Sequence, residues 1–242
     1  MRLFSLAGRN MKEIYRDPIS LILGIGMPVL LILLFTSIGK GAPVDIFMVD
    51  MLVPAVVIFS FGFLIMFSAT LLVRDRQSAF LTRLLAAPLT AVDFILAYII
   101  PLIPFALLQI AASTVAGAAL GMSFTSGTFY SLAILIPVAV ICIGIGMVLG
   151  SLFTENQVAA AGSIIIVVIS LFSGAWMDLE MVGGIFEKIG YILPFAHAVD
   201  ASRAVINGAQ LSAVSDKLYW IVSYLVVFIC AGILSFWWKT KR

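Results

Sequence analysis

One pair of side chains in this sequence invites comparison with a nucleophile and its base: Ser173, in the string LFSGAW, and His197, the only histidine. A serine inside a membrane can be activated by a histidine on another span when glycines around it let the backbone turn tightly. Leu171 stands two residues before Ser173 where that pattern needs glycine, and His197 falls in a long loop rather than a span. The pair is not read as catalytic. Phosphate chemistry is no better served: the nearest approach to a phosphate-binding loop is Gly39-Lys40-Gly41, with no upstream glycine in register and no strand before it. Cys142 and Cys230 both lie in apolar runs and have neither disulfide nor metal-ligand spacing. What remains is the chemistry of binding. Gln109, Ser113 and Thr114 form a polar cluster at depth in an apolar run, suited either to hydrogen bonding between helices or to lining a substrate path. A second candidate is the charged string LLVRDRQSAFLTRLLAAPLT, from Leu71 to Thr90.

The elements that would position these residues follow from composition. Of 242 residues, 63% are hydrophobic and only 11% charged, against ~25% charged in ordinary soluble domains. With a mean hydropathy of +1.20, the chain is a membrane protein. A net charge of +2 is too small to suggest nucleic acid as a partner. A helical span needs ~20 apolar residues, and six stretches qualify: 19–38, 51–73, 94–120, 129–153, 157–176 and 218–238. Pro101, Pro104 and Pro137 predict kinks in the third and fourth. No strand pattern occurs. The basic start runs into a full-length span without a small-residue cleavage site, so the first span is expected to be retained.

Lysine and arginine placement sets the expected orientation. Arg2, Arg9, Lys12 and Arg16, then Arg74, Arg76 and Arg83, then Lys239, Lys241 and Arg242 fall on one side, whereas the other has Lys40, Lys188, Arg203 and Lys217. Both termini are therefore expected to be cytoplasmic. In residues 1–17, Leu3, Phe4, Ala7, Met11, Ile14 and Tyr15 share one helical arc, and Arg2, Arg9, Lys12 and Arg16 lie on the opposite one, with Leu6 as the exception. This pattern predicts an interfacial helix with its cations toward lipid headgroups, ended by Pro18. Residues 74–88 repeat the pattern on a smaller scale, with Phe80, Leu81, Leu84 and Leu85 opposite Asp75, Arg76 and Arg83. A loop that only reversed the chain could be far shorter, so this helix is expected to receive a partner, the alternative being a juxtamembrane anchor without one. Residues 177–217 stay outside as short apolar pieces, each too short to span, which predicts outside or re-entrant helices. Within them Asp200 and Arg203 are spaced to pair on a helix, and Gly208 is placed to stop it.

Taken end to end, the chain resembles the permease subunit of a type-2 ABC exporter. The resemblance rests on three features: an opening helix ending in YRDP, the string VRDRQSAFLTRLLAAPLT after span two, and the late segment LFSGAWMDLEMVGGIFEKIGYILPFAHAVDASRAVING. The chain departs from the family's pattern at Gln77 and Ala79, where an acidic residue and a glycine are common, and at Leu193, where asparagine often precedes Pro194. The resemblance implies one all-α permease domain over 1–242 with six transmembrane helices. It also implies that residues 74–88 form a coupling helix, in which Asp75, Arg76, Phe80, Leu81, Arg83 and Leu84 meet a cytoplasmic ABC ATPase. ATP and Mg would then be held by that partner, and this chain would carry no cofactor and no catalytic site. Pro194, Asp200 and Arg203 would belong to the outside helix motif, and a second permease copy, identical or closely related, would face this one in the cell membrane. Lacking deep charges and a large outside domain, the permease is expected to export an amphipathic drug-like, lipid or lipid-linked substrate. An ion-coupled secondary transporter is the alternative, and it would call for ionisable groups or broken helices at the membrane midplane.

Overall fold

A computed structural model describes residues 2–41, 45–77 and 91–240. The chain is all-helical, with no strand among the described residues. Among the described residues six helices are long and apolar enough to cross a membrane, as the hydropathy pattern predicts. Helix α1 covers Arg2–Tyr15. After a turn at Asp17 comes α2, Pro18–Gly41, whose Ile22–Gly26 segment winds as a π-helix. Helix α3 is Val49–Gln77, α4 Ala91–Ala119, α5 Ser126–Leu152 and α6 Glu155–Phe172. Three shorter helices follow: α7 Leu179–Val182, α8 Gly184–Ile192 and α9 Pro194–Ile206. The last span, α10, is Ser215–Thr240.

Local chemistry fixes the boundaries. Asp17 starts α2 by accepting from the Ser20 amide (3.2 Å) and hydroxyl (2.8 Å), with Pro18 in the first turn where its missing N–H costs nothing. Thr154 and Gln157 form a capping box at the start of α6, the Thr154 amide donating to Gln157 Oε1 at 3.0 Å. Gly208 stops α9 as expected. Its φ is +90, its N–H donates to the Val205 carbonyl, and the Ala209 N–H reaches back to Ala204, which together make a Schellman closure.

Helix α3 is the axis of the bundle. Between Leu52 and Val73 it is buried except along a stripe of Phe59, Phe63, Met66, Phe67 and Thr70. Its closest neighbour is α5, and two glycines make that approach possible. A Cβ on Gly146 would overlap Ser68 Oγ and the Ile65 carbonyl, and one on Gly150 would lie 2.6 Å from the Ala69 carbonyl. The bare backbone lets the Ser68 hydroxyl donate to the Ile143 carbonyl at 3.2 Å. Gly144 likewise seats α5 against Phe228 of α10, and Gly117 seats α4 against Val53. These glycines pack helices, as small residues do in membranes. Gly121 instead serves a turn, at φ +96 with open space around it.

Prolines leave helix carbonyls without donors, and two are rescued by amide side chains from elsewhere. Pro28 cannot bond the Gly24 carbonyl four residues earlier; Gln109 Nε2 donates to it at 2.8 Å. Pro101 likewise abandons the Ala97 carbonyl, and Asn10 Nδ2 of α1 supplies the bond at 3.1 Å.

In their most apolar stretches, α2, α6 and α10 are only 22%, 17% and 11% buried, against 72% for α3. Most of their surface is therefore left to lipid or to another chain.

Candidate functional site

The charged string resolves into two parts. Arg74, Asp75 and Arg76 are not the start of a separate helix, because the expected span end at Val73 is overrun and all three lie in the last turn of α3. Residues 78–90, with Phe80, Leu81, Arg83 and Leu84, lie outside the described residues.

Asp75 is only 3% exposed. Arg9 of α1 grips it bidentately, Nη1 to Oδ2 and Nη2 to Oδ1, both at 2.6 Å. This fork-to-fork geometry gives the strongest class of side-chain ion pair. The Tyr98 hydroxyl of α4 donates to Asp75 Oδ2 at 2.5 Å, and Arg9 Nη2 also meets Glu13 at 2.9 Å. Hydrogen bonding to Asp75 holds the Arg9 guanidinium above its ordinary range, against a smaller lowering by burial. Burial raises the Glu13 carboxyl, opposed by Arg9. One carboxylate thus ties α1, α3 and α4 together. Arg76 donates to the Ser151 and Phe153 carbonyls, where the end of α5 offers unpaired acceptors and partial negative charge. Arg74 pairs with Glu155 at the start of α6, at 2.9 Å. The expectation that Asp75 and Arg76 point outward to a partner therefore changes. Both are turned toward the bundle, Asp75 buried and Arg76 half-buried, because helix-end carbonyls and the bidentate Arg9 guanidinium offer more than water does. They fix the place from which residues 78–90 depart.

Helix α1 divides its faces three ways. Leu6, Ala7, Asn10 and Ile14 are buried, which explains Leu6 as part of a protein-facing stripe. Phe4 and Tyr15 are 72% and 73% exposed, and Lys12 and Arg16 are exposed beyond them. Arg2 opens the helix.

The polar cluster of α4 is internal. Gln109 and Ser113 are fully buried and Thr114 nearly so. Gln109 bridges to α2 through the Gly24 carbonyl and approaches the Ser60 carbonyl of α3 at 3.4 Å, while Thr114 Oγ1 donates within its own helix to Ile110 at 2.8 Å. Interhelical bonding is thus the role the geometry gives Gln109. Gln109 Oε1 and Ser113 Oγ have no partner among the described residues.

At the other end of the bundle α9 is sunk among the spans. Gly127 of α5 lets it in, since a Cβ there would overlap the Val205 carbonyl. Pro194 begins the helix and is buried. The expected Asp200–Arg203 pair does not form. Asp200 accepts from the Tyr191 hydroxyl at 2.8 Å and meets Lys217 at 3.5 Å. Arg203 donates instead to the carbonyls of Met51 (3.1 Å), Gly174 (2.8 Å) and Ala175 (3.1 Å). This guanidinium sews α9 to the start of α3 and to the turn after α6. Burial lowers its pKa, while Asp200 and Asp178 oppose the shift. Sequence spacing alone could not foresee this, because all three acceptors are backbone groups distant in the chain.

His197 stacks on Trp220 with ring centroids 5.3 Å apart, and Nε2–H donates to the Tyr191 carbonyl at 2.9 Å. Its Nδ1 is buried without a partner among the described residues. Burial lowers its pKa below the ordinary value near 6.5, against raising contributions from the Tyr191 bond and the Asp200 and Asp216 charges; Lys217 adds to the lowering. The unfolded chain therefore binds the proton more readily, so His197 stabilises this region fully above pH ~6.5 and less as pH falls below it. The protection factors of α9 amides, taken against their intrinsic exchange rates, should fall between about pH 6.5 and 5 in the parent, and His197→Phe should flatten that dependence. An unchanged slope in the variant would assign the acid sensitivity elsewhere.

No metal-binding cluster of His, Cys, Asp and Glu occurs among the described residues, and Ser173 donates no proton to His197: its Oγ accepts from the Ala175 amide at 3.2 Å. A comparison with curated proteins finds no match. The family model described as ABC-2 type transporter matches residues 1–207, from α1 through the end of α9. With six candidate spans and a match over that length, the chain belongs to the ABC-2 type transporter family, whose membrane domain is a transport subunit and not a catalytic one.

Proposed function

We propose that this chain is the membrane subunit of an ATP-driven exporter, energised by a separate ABC ATPase that docks on residues 78–90. The observation that carries the proposal is the tethering of the last turn of α3. Asp75, Arg76 and Arg74 bind it to α1, α4, α5 and α6. A push received just beyond Gln77 would reach four helices at once. A loop meant only to reverse the chain would have no need of such anchorage. ATP and Mg stay on the partner, α1 lies along the inner membrane surface with Lys12 and Arg16 toward headgroups, and both termini are cytoplasmic. The sparsely buried α2, α6 and α10 leave room for a second permease copy, with the pathway between the two. The substrate is amphipathic, a drug-like molecule, a lipid or a lipid-linked glycan.

Reconstitution with the cognate ATPase tests this. The expected result is ATP-dependent export of an amphiphile from proteoliposomes. Arg83→Glu should lower permease-stimulated ATPase activity about tenfold while membrane level is unchanged, because a reversed charge in the docking segment acts on association with the partner. Wild-type coupling in Arg83→Glu together with Leu84→Asp would reduce 78–90 to a membrane anchor.

A further inference from the structure

The half-buried stripe of α3 forms one wall of a cleft to which the proposed coupling gives no ligand. Two cavities, of about 290 Å³ and about 310 Å³, share Asp17, Phe67, Thr70 and Arg74, so they are two halves of one opening between the end of α1, the start of α2 and α3. To the shared residues and Ser20 the inner half adds an apolar wall of Leu23, Phe63 and Met66, with Phe67 packed on Phe105 at a ring separation of 5.4 Å. The outer half adds Glu13 and Arg16. Greasy depth and charged mouth occur in the order that an amphiphile presents to a membrane interface.

The charges at the mouth narrow the ligand. Arg16 is exposed and has no ion pair among the described residues. Arg74 spends its Nε on Glu155, its side chain remaining 55% exposed, which leaves the other guanidinium nitrogens open. On the acidic side, Asp17 stands at the start of α2 and Glu13 beside Arg9. A purely anionic headgroup would meet two carboxylates and a purely cationic one two guanidiniums. A headgroup bearing both signs can satisfy both, phosphate toward Arg16 and Arg74 and ammonium toward Asp17 and Glu13. Thr70 adds a hydroxyl whose proton goes to the Met66 carbonyl at 2.9 Å, leaving its lone pairs to accept from an ammonium. We propose that this cleft binds an amphiphile of the phosphoethanolamine class, its chain along Phe63, Met66 and Phe67.

As a substrate class this rests on the exporter reading; as a binding site it does not. The test is native mass spectrometry of the full chain in detergent, titrated with dioleoyl phosphatidylethanolamine, dioleoyl phosphatidylglycerol or a single-chain quaternary ammonium amphiphile. Phosphatidylethanolamine should be retained at one per chain and about tenfold more tightly than either of the others. Thr70→Trp, which fills the part common to both cavities, should abolish retention. Arg16→Gln, an exposed change that leaves the helices' contacts intact, should remove the preference over the ammonium amphiphile. Equal retention of all three, or a Thr70→Trp protein that melts like the parent and keeps the lipid, overturns the site. Retention without ATP-dependent movement of this lipid or any other amphiphile by the assembled complex keeps the site and overturns the exporter reading. Export of an unrelated amphiphile with no phosphatidylethanolamine retained does the reverse.

Discussion

Gly146→Leu is expected to leave no correctly packed protein in the membrane. The position faces Ser68 Oγ and the Ile65 carbonyl at distances that exclude even one carbon, and a carbonyl inside a helix cannot step aside as a flexible side chain can. Four carbons would drive α3 and α5 apart along the most extensive contact in the bundle, exposing Ser68 and forfeiting its bond to Ile143. Overpacking by a methylene or two costs about 1–3 kcal/mol; separating the two central helices costs the packing of both. Gly146→Ala should already lower the melting temperature in detergent markedly. Ser68→Ala should not rescue it, because the Ile65 carbonyl still blocks the site. Gly8→Ala and Gly41→Ala, where a new Cβ meets nothing within 4 Å, are the matched controls. A Gly146→Ala protein that melts like the Gly8→Ala protein would mean that α3 and α5 are not this close.

Asp75→Asn is expected to have the second-largest effect, and a different one. Removing one partner of a buried ion pair costs about 3–5 kcal/mol. The Arg9 side chain is 37% exposed and can regain some water, so about 2 kcal/mol is the expected loss here. The functional loss should exceed the structural one. The tether between α1 and the last turn of α3 slackens, and ATPase stimulation should fall by tenfold or more in protein that still folds. A triple change of Arg9→Met, Asp75→Leu and Tyr98→Phe separates the two effects, since well-packed apolar groups can replace a buried ion pair with little loss of stability. The triple variant should recover the melting temperature and not the stimulation. Recovery of both would show that packing alone, and not this polar joint, carries force from the ATPase.

Much of the architecture was legible in the sequence. Six apolar runs gave six helices, since a run of that length in a bilayer has only intrahelical partners for its backbone. The arc pattern of residues 1–17 gave α1, and Gly208 gave the end of α9. The site was less legible, for one physical reason. Asp75 and Arg76 lie in a charged string and look solvated, yet their partners are a guanidinium 66 positions away and two carbonyls at the end of α5. Arg203 escaped in the same way, preferring carbonyls to the Asp200 one turn away. Helical periodicity ranks neighbours on one helix and is blind to acceptors on another. Leu6 was visible only as a flaw in an amphipathic wheel, and it marks the face that touches protein, where Asn10 also lies.

The bond from Asn10 to the Ala97 carbonyl has a consequence in time. Asn10 leaves the ribosome 87 residues before its acceptor, a lag of about 4–17 s at 5–20 residues per second. Until Pro101 has been made and its span inserted, α1 lacks the carbonyl that Asn10 binds. Helix α1 is thus made before its seat, and its docking both closes the gap left by Pro101 and brings Arg9 to Asp75. Assembly of the transmission joint is thereby coupled to completion of the third span, so that a chain stalled before that point has no joint through which an ATPase could drive it.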